Sequence, residues 1–215
     1  KAHVSKPDWK AAMAVAEQIK ATPLDPGLGY YYSGWVYQQK KAYAASIKQF
    51  EEALRSNPQS PERLAAIVKS HLALKQPARA AQRIKQVLKQ FPNLAHAHNL
   101  LGEVSLAQKR RDDAQAAFRK ALAADPRYAP AYRNLAALHA ARGMVAEAIK
   151  IYQEGITATR GDASLMFALG VTYERQSEYD QAVKQYEDIL AKDPLAFAAM
   201  NNLAMLLITD KPDAA

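Results

Sequence analysis

The sequence predicts an all-α protein, a right-handed α-solenoid of tandem helix–turn–helix units with a period of 34 residues. Three observations carry this. Pro58, Pro92 and Pro126 are spaced by 34 residues, and Pro194 lies twice that distance beyond Pro126. Small and large side chains recur in register with those prolines. The composition is rich in Ala, Leu, Gln, Lys and Glu, with only 8 glycines in 215 residues, which favours helix over sheet. A fixed period of this length marks units that cannot bury their apolar faces alone and form a core by stacking.

The prolines act as the ruler because proline cannot donate a backbone bond and restricts the residue before it, so each ends a helix. Three of the turns read as a polar residue then proline, at Asn57-Pro58, Asp125-Pro126 and Asp193-Pro194, with Phe91-Pro92 the exception. The missing beat falls at Arg160, followed by Gly161. Ahead of each turn the same three positions recur. The first is small, at Gly34, Gly102, Ala136 and Gly170, with Val68 the one misfit. The second is small again, at Ser46, Ala80, Ala114, Ala148 and Ala182. The third is large, at Phe50, Ile84, Phe118, Tyr152 and Tyr186. Small positions allow two antiparallel helices to approach closely, and large ones are expected to fill the gap between neighbouring hairpins.

The period and these residue types resemble the tetratricopeptide repeat. The best match is 163–196, with MFALGVTYERQ then YDQAVKQYEDILAKDP, and 95–128 and 27–60 match nearly as well. The resemblance implies a half-repeat holding only a second helix over 1–26 and full repeats over 27–60, 61–94, 95–128, 129–162 and 163–196. A truncated first helix over 197–215 would follow. That last helix is expected to expose Leu203, Leu206 and Leu207, and therefore to fray or to self-associate with a neighbouring molecule. The start at Lys1 and the abrupt end near Asp210 suggest an excerpt of a longer protein.

No catalytic constellation stands out. The chain has no cysteine, which excludes disulfides, thiolate metal sites and thiol nucleophiles. His96 and His98, two apart on a helix, face different ways and cannot chelate one metal. His71 and His139 occupy positions where this repeat usually carries an interhelical tyrosine, so packed, hydrogen-bonded histidines are expected. Gly27-Leu28-Gly29 lacks the strand and the Gly-Lys-Ser/Thr of a phosphate loop. Neither an enzyme activity nor a cofactor nor a metal is implied.

In this architecture a protein or peptide ligand lies in the concave groove lined by the first helix of each repeat. By position the groove residues are Tyr31, Trp35 and Gln38, then Glu62 and Lys69, then Asn99 and Glu103, then Arg133, Phe167 and Glu174. Tyr31 and Trp35, one turn apart, are the expected anchors, since large rings with few rotors favour interfaces; the alternative is that they pack on the preceding half-repeat. The lysine–asparagine clamp by which some relatives hold a peptide's terminal carboxylate is absent: the matching positions carry Tyr31 with Trp35, Ala65 with Lys69, and Asn99 with Glu103.

The net charge is +8, and 61–126 alone hold 12 Lys and Arg against 5 Asp and Glu. A basic convex patch is expected at Arg79, Arg83, Lys85, Lys89, Lys109, Arg110 and Arg111. It is a solvated surface or a contact for an acidic protein, polysaccharide or membrane surface. Nucleic acid ranks last, because no exposed aromatics are interleaved for stacking. No run approaches the roughly 20 apolar residues of a membrane helix. The closing repeats, with NNLAMLLITDKPDAA, resemble bacterial tetratricopeptide lipoproteins tied to exopolysaccharide production and PEP-CTERM sorting. That resemblance implies an interaction scaffold in the bacterial periplasm or envelope; a recruiting arm of a larger enzyme is the other option.

Overall fold

The computed structural model describes residues 8–22 and 25–209. Among these the secondary structure is entirely helical: α1 (Trp9–Lys20), α2 (Pro26–Gln39), α3 (Tyr43–Ser56), α4 (Pro61–Ala73), α5 (Pro77–Gln90), α6 (Ala95–Ala107), α7 (Arg111–Ala124), α8 (Ala129–Ala140), α9 (Val145–Ala158), α10 (Ala163–Arg175), α11 (Tyr179–Lys192) and α12 (Phe197–Thr209). The chain divides into two compact units, Lys1–Ala117 and Phe118–Ala215, with the division inside α7. In the first unit each helix from α1 to α6 packs on the next, and α4 also touches α2 and α6. In the second, α8 packs on α9, α9 on α10, α10 on α11 and α11 on α12, with α8 also touching α10.

Two kinds of turn alternate. Between repeats the proline turns stop α3, α5, α7 and α11, and at the missing beat Arg160 and Gly161 both take the left-handed conformation instead. Within repeats a second period of 34 appears: Lys41, Lys75, Lys109, Gly143 and Ser177 all have φ between 57° and 77°. The residue after each returns its N–H to a carbonyl five positions back, as from Ala42 to Tyr37 and from Gln76 to His71, both at 2.9 Å. This is the Schellman closure of a helix, which glycine adopts at no steric cost. Only one of the five positions is glycine; three are lysines that hold the strained conformation.

The small and large positions meet inside one hairpin, and the large ones also reach the next: Phe50 shares a core with Leu64 and Ile67, and Tyr186 accepts from Asn202 of α12. A Cβ on Gly34 would lie 2.5 Å from the Phe50 ring, and one on Gly170 would lie 2.8 Å from the Tyr186 ring. The misfit at Val68 has the same explanation: its partner position holds Ile84 instead of a ring, and both are buried in the core. That core runs through α3 to α6, from Phe50 and Leu54 through Leu64, Ile67, Ile84 and Val87 to Leu100 and Val104.

α12 departs from expectation at Leu203 and Leu206. Ala199 and Leu206 are buried and Leu203 is half-buried, since these positions share the side packed on α11. Leu207 is exposed as expected, and the other exposed apolar side chains are Phe197, Met200, Met205 and Ile208, the last at 71%.

Candidate functional site

In the first unit α2, α4 and α6 form one continuous face because α4 touches both of the others. On the opposite face α3 and α5 stand apart across a cleft of about 850 Å³. The first helices therefore present a shared surface and the second helices a furrowed one.

The groove residues sort clearly on this frame. Trp35 is 46% exposed, and Glu62, Lys69 and Glu103 are exposed as well. Tyr31 is half-buried; its ring lies 5.6 Å from that of Phe50 and 6.0 Å from that of Tyr32, so it packs on rings of its own repeat. Gln38, expected to line the groove, is only 8% exposed. Its amide donates to Ser70 Oγ at 2.8 Å, and Ser70 in turn meets Ser46 Oγ at 2.9 Å. A groove-facing Gln38 is thus corrected to a buried polar tie joining α2, α3 and α4. Asn99 is also buried, at 3%, with its amide donating to Glu103 at 2.9 Å. It positions the Glu103 carboxylate from below and offers little surface of its own.

In the second unit Arg133 is exposed, while Phe167 and Glu174 are half-buried. Both attend to Tyr186: the Phe167 ring sits 5.6 Å away, and the phenol donates to Glu174 Oε1 at 2.6 Å. Asn202 of α12 donates to the same phenol oxygen at 3.3 Å, and burial pushes the phenol's pKa far up. These two groove positions are packing partners of the tyrosine that seats on Gly170. Their free surface is correspondingly reduced.

Glu62 and His96 face each other electrostatically across α4 and α6. The Glu62 carboxyl is held below its ordinary range by its own backbone N–H and by the Ser60 hydroxyl. Burial lowers the His96 pKa, an effect that Glu62 partly opposes, and His96 Nε2 is buried without a partner. The unfolded chain therefore binds the histidine proton first as pH falls through 6.5, and stability drops from there toward the folded value. Glu62 acts lower, since its contribution is present above 4.5 and is lost only as pH falls through its depressed folded value. We expect His96→Gln to flatten the fall in urea midpoint between about pH 7 and pH 5. A profile identical to wild type would contradict this.

His71 is hydrogen-bonded as expected, with Nδ1 3.3 Å from Gln76 Oε1. His139 is not: it is buried, and neither ring nitrogen has a partner.

On the second-helix face Arg79, Lys85, Lys89, Lys109, Arg110 and Arg111 are all exposed. Arg83 is half-buried and donates through Nε to both oxygens of Glu51, at 2.8 and 3.0 Å. It is part of the structure between α3 and α5. Arg110 pairs with Asp113 at 2.5 Å.

One residue that sequence reasoning missed organises this unit. Arg63 on α4 is buried and donates to Ala53 O at 2.8 Å, Ser56 Oγ at 2.6 Å and Asp25 Oδ2 at 2.6 Å. It joins the C-terminal turn of α3, where a cation is favoured, to the start of α2. Nothing in the sequence sets it apart from the surface arginines around it.

Among the described residues no helix is long and apolar enough to cross a membrane, and no group of three or more His, Asp or Glu could hold a metal. Family models described as tetratricopeptide repeat match 37–104, 105–170 and 167–214. Subunit 3 of the anaphase-promoting complex of Schizosaccharomyces pombe is 24% identical over 157 residues, which cover 73% of this chain and 24% of that protein. The chain thus spans about a quarter of that relative's length. Among solved structures, the tetratricopeptide-repeat protein TTC0263 of Thermus thermophilus superposes with a TM-score of 0.64 at 22% identity, covering 85% of this chain and 99% of that one. The type IV pilus biogenesis factor PilW gives a TM-score of 0.62 at 21% identity, covering 91% of each chain. Proteins built of these repeats bind protein or peptide partners and are generally non-catalytic scaffolds. With the family models matching well over half of its length and the helix hairpins stacked at the same period, the chain belongs to the tetratricopeptide-repeat family.

Proposed function

We propose that the chain is a non-catalytic scaffold that holds a peptide or helix of a partner protein against the shared face of α2, α4 and α6. The single observation that carries this reading is Trp35. A large ring left nearly half exposed on a face built from three touching helices offers a partner a wide contact area with few rotors to freeze. Lys69 lies on the same face with Glu62 and Glu103, so the surface is mixed in sign and suits apolar anchoring with polar registration. The compartment we propose is the bacterial envelope, in an exopolysaccharide or secretion assembly, on the resemblance of the closing repeats.

The test compares proteins captured from bacterial envelope extract by the wild type and by Trp35→Ala. Loss of an interface anchor costs about 2 kcal/mol, so recovery of the partner should fall about thirtyfold. Equal recovery by the two proteins would remove this face from consideration.

A further inference from the structure

The net positive charge of the chain belongs entirely to the first unit, which holds 18 Lys and Arg against 9 Asp and Glu; the second holds 11 against 12. Within the first unit the excess gathers beside a cleft of about 490 Å³, lined by Ala78, Ala81, Gln82, Lys85, Gln86, Lys89, Gln108 and Arg110. The cleft runs along α5 and opens at the turn between α6 and α7, where Lys109 is exposed in its left-handed conformation. No carboxylate lines it. Arg110 has its own partner in Asp113, but Lys85 and Lys89 have no ion-pair partner among the described residues.

We propose that this cleft is a second docking site, separate from the face that carries Trp35, and that it takes an acidic, extended segment of a partner protein. The wall chemistry selects the ligand. Lys85 and Lys89 are one helical turn apart on the same side of α5, about 6 Å along the axis, which matches alternate side chains of an extended chain at about 6.8 Å. Three glutamine amides, Gln82, Gln86 and Gln108, each offer donors and an acceptor, as the main chain of such a segment requires. Ala78 and Ala81 are short enough to let a backbone settle between the longer side chains.

Other polyanions fit less well. No aromatic ring lines the cleft to stack on a nucleobase or the apolar face of a sugar. None of the exposed large apolar side chains lines it either, so nothing there would insert among lipid tails beside the lysines.

Fluorescence anisotropy of a labelled peptide alternating glutamate and serine tests the proposal on the intact chain. Lys85→Gln/Lys89→Gln should weaken binding at least about tenfold, since it removes both charge-assisted contacts. Lys10→Gln/Lys48→Gln removes the same net charge at exposed positions elsewhere in the unit and should change binding less than about twofold. Trp35→Ala should leave it unchanged, which separates this site from the first-helix face. Three outcomes would overturn the proposal: no binding of the peptide at low salt; equal losses in the two double variants; or tighter, Lys85- and Lys89-dependent binding of heparin or of vesicles containing phosphatidylglycerol.

Discussion

Gly34→Val will destabilise the protein by about 3 kcal/mol, and adding Phe50→Ile will restore a substantial part of that loss. A single Cβ at position 34 already lies 2.5 Å from Phe50 Cδ1 and 2.6 Å from Cε1, closer than real side chains approach. Phe50 is completely buried and also packs on Tyr31, so its ring has nowhere to move. The two methyls of valine make the overlap worse. The protein contains the compensated pair already, because the corresponding positions of the next hairpin hold Val68 and Ile84, both buried. The double variant therefore copies one repeat's solution into its neighbour. Urea denaturation of the four members of this cycle measures the coupling. If the two single costs simply add, ring and glycine do not share one space, and the small–large rule of the repeat has another cause.

Arg63→Ala will cost about 3 kcal/mol, and Arg63→Lys will recover less than half of it. The guanidinium spreads three hydrogen bonds over two elements: the carbonyl of Ala53 and the hydroxyl of Ser56 on α3, and the carboxylate of Asp25 ahead of α2. Alanine leaves the buried Ala53 carbonyl with only the Ser56 hydroxyl as side-chain donor, and it leaves the Asp25 carboxylate without its partner. An ammonium presents one point of charge where a planar fork is needed. Asp25 is partly exposed and can turn to water, which limits its share of the loss. Chemical denaturation with both variants checks this. A loss below about 1 kcal/mol for Arg63→Ala would mean that water replaces the guanidinium without penalty.

How much of this was legible beforehand follows from which residues act locally. Pro58, Pro92, Pro126 and Pro194 act on their own backbone, so their spacing alone announces where helices stop. The three repeating small and large positions were visible too, because packing one hairpin on itself and the next imposes the same volumes every 34 residues. The left-handed positions at Lys41, Lys75 and Lys109 were hidden because lysine is not the residue that this conformation prefers, although the spacing to Gly143 could have exposed them. At the candidate site the position along the helix was readable but its exposure was not. Gln38 and Trp35 lie one turn apart on α2, yet Gln38 is drawn under α4 by Ser70 while Trp35 stays outside. Asn99 and Glu103 show the same split on α6.

The sequence by itself determined the helical class, the period, the helix ends and the stretch that carries the basic charge, since each depends on local backbone preference or on simple composition. Only the tertiary structure decided which polar side chains tie helices together and which remain for a partner. Arg63, Gln38, Glu174 and Arg83 are ordinary surface residue types in a sequence. They become structural because a hydrogen-bonding group from another repeat lies within 3 Å of each or, for Glu174, from the other helix of its own. That proximity is set by how hairpins stack, and no single helix contains the information.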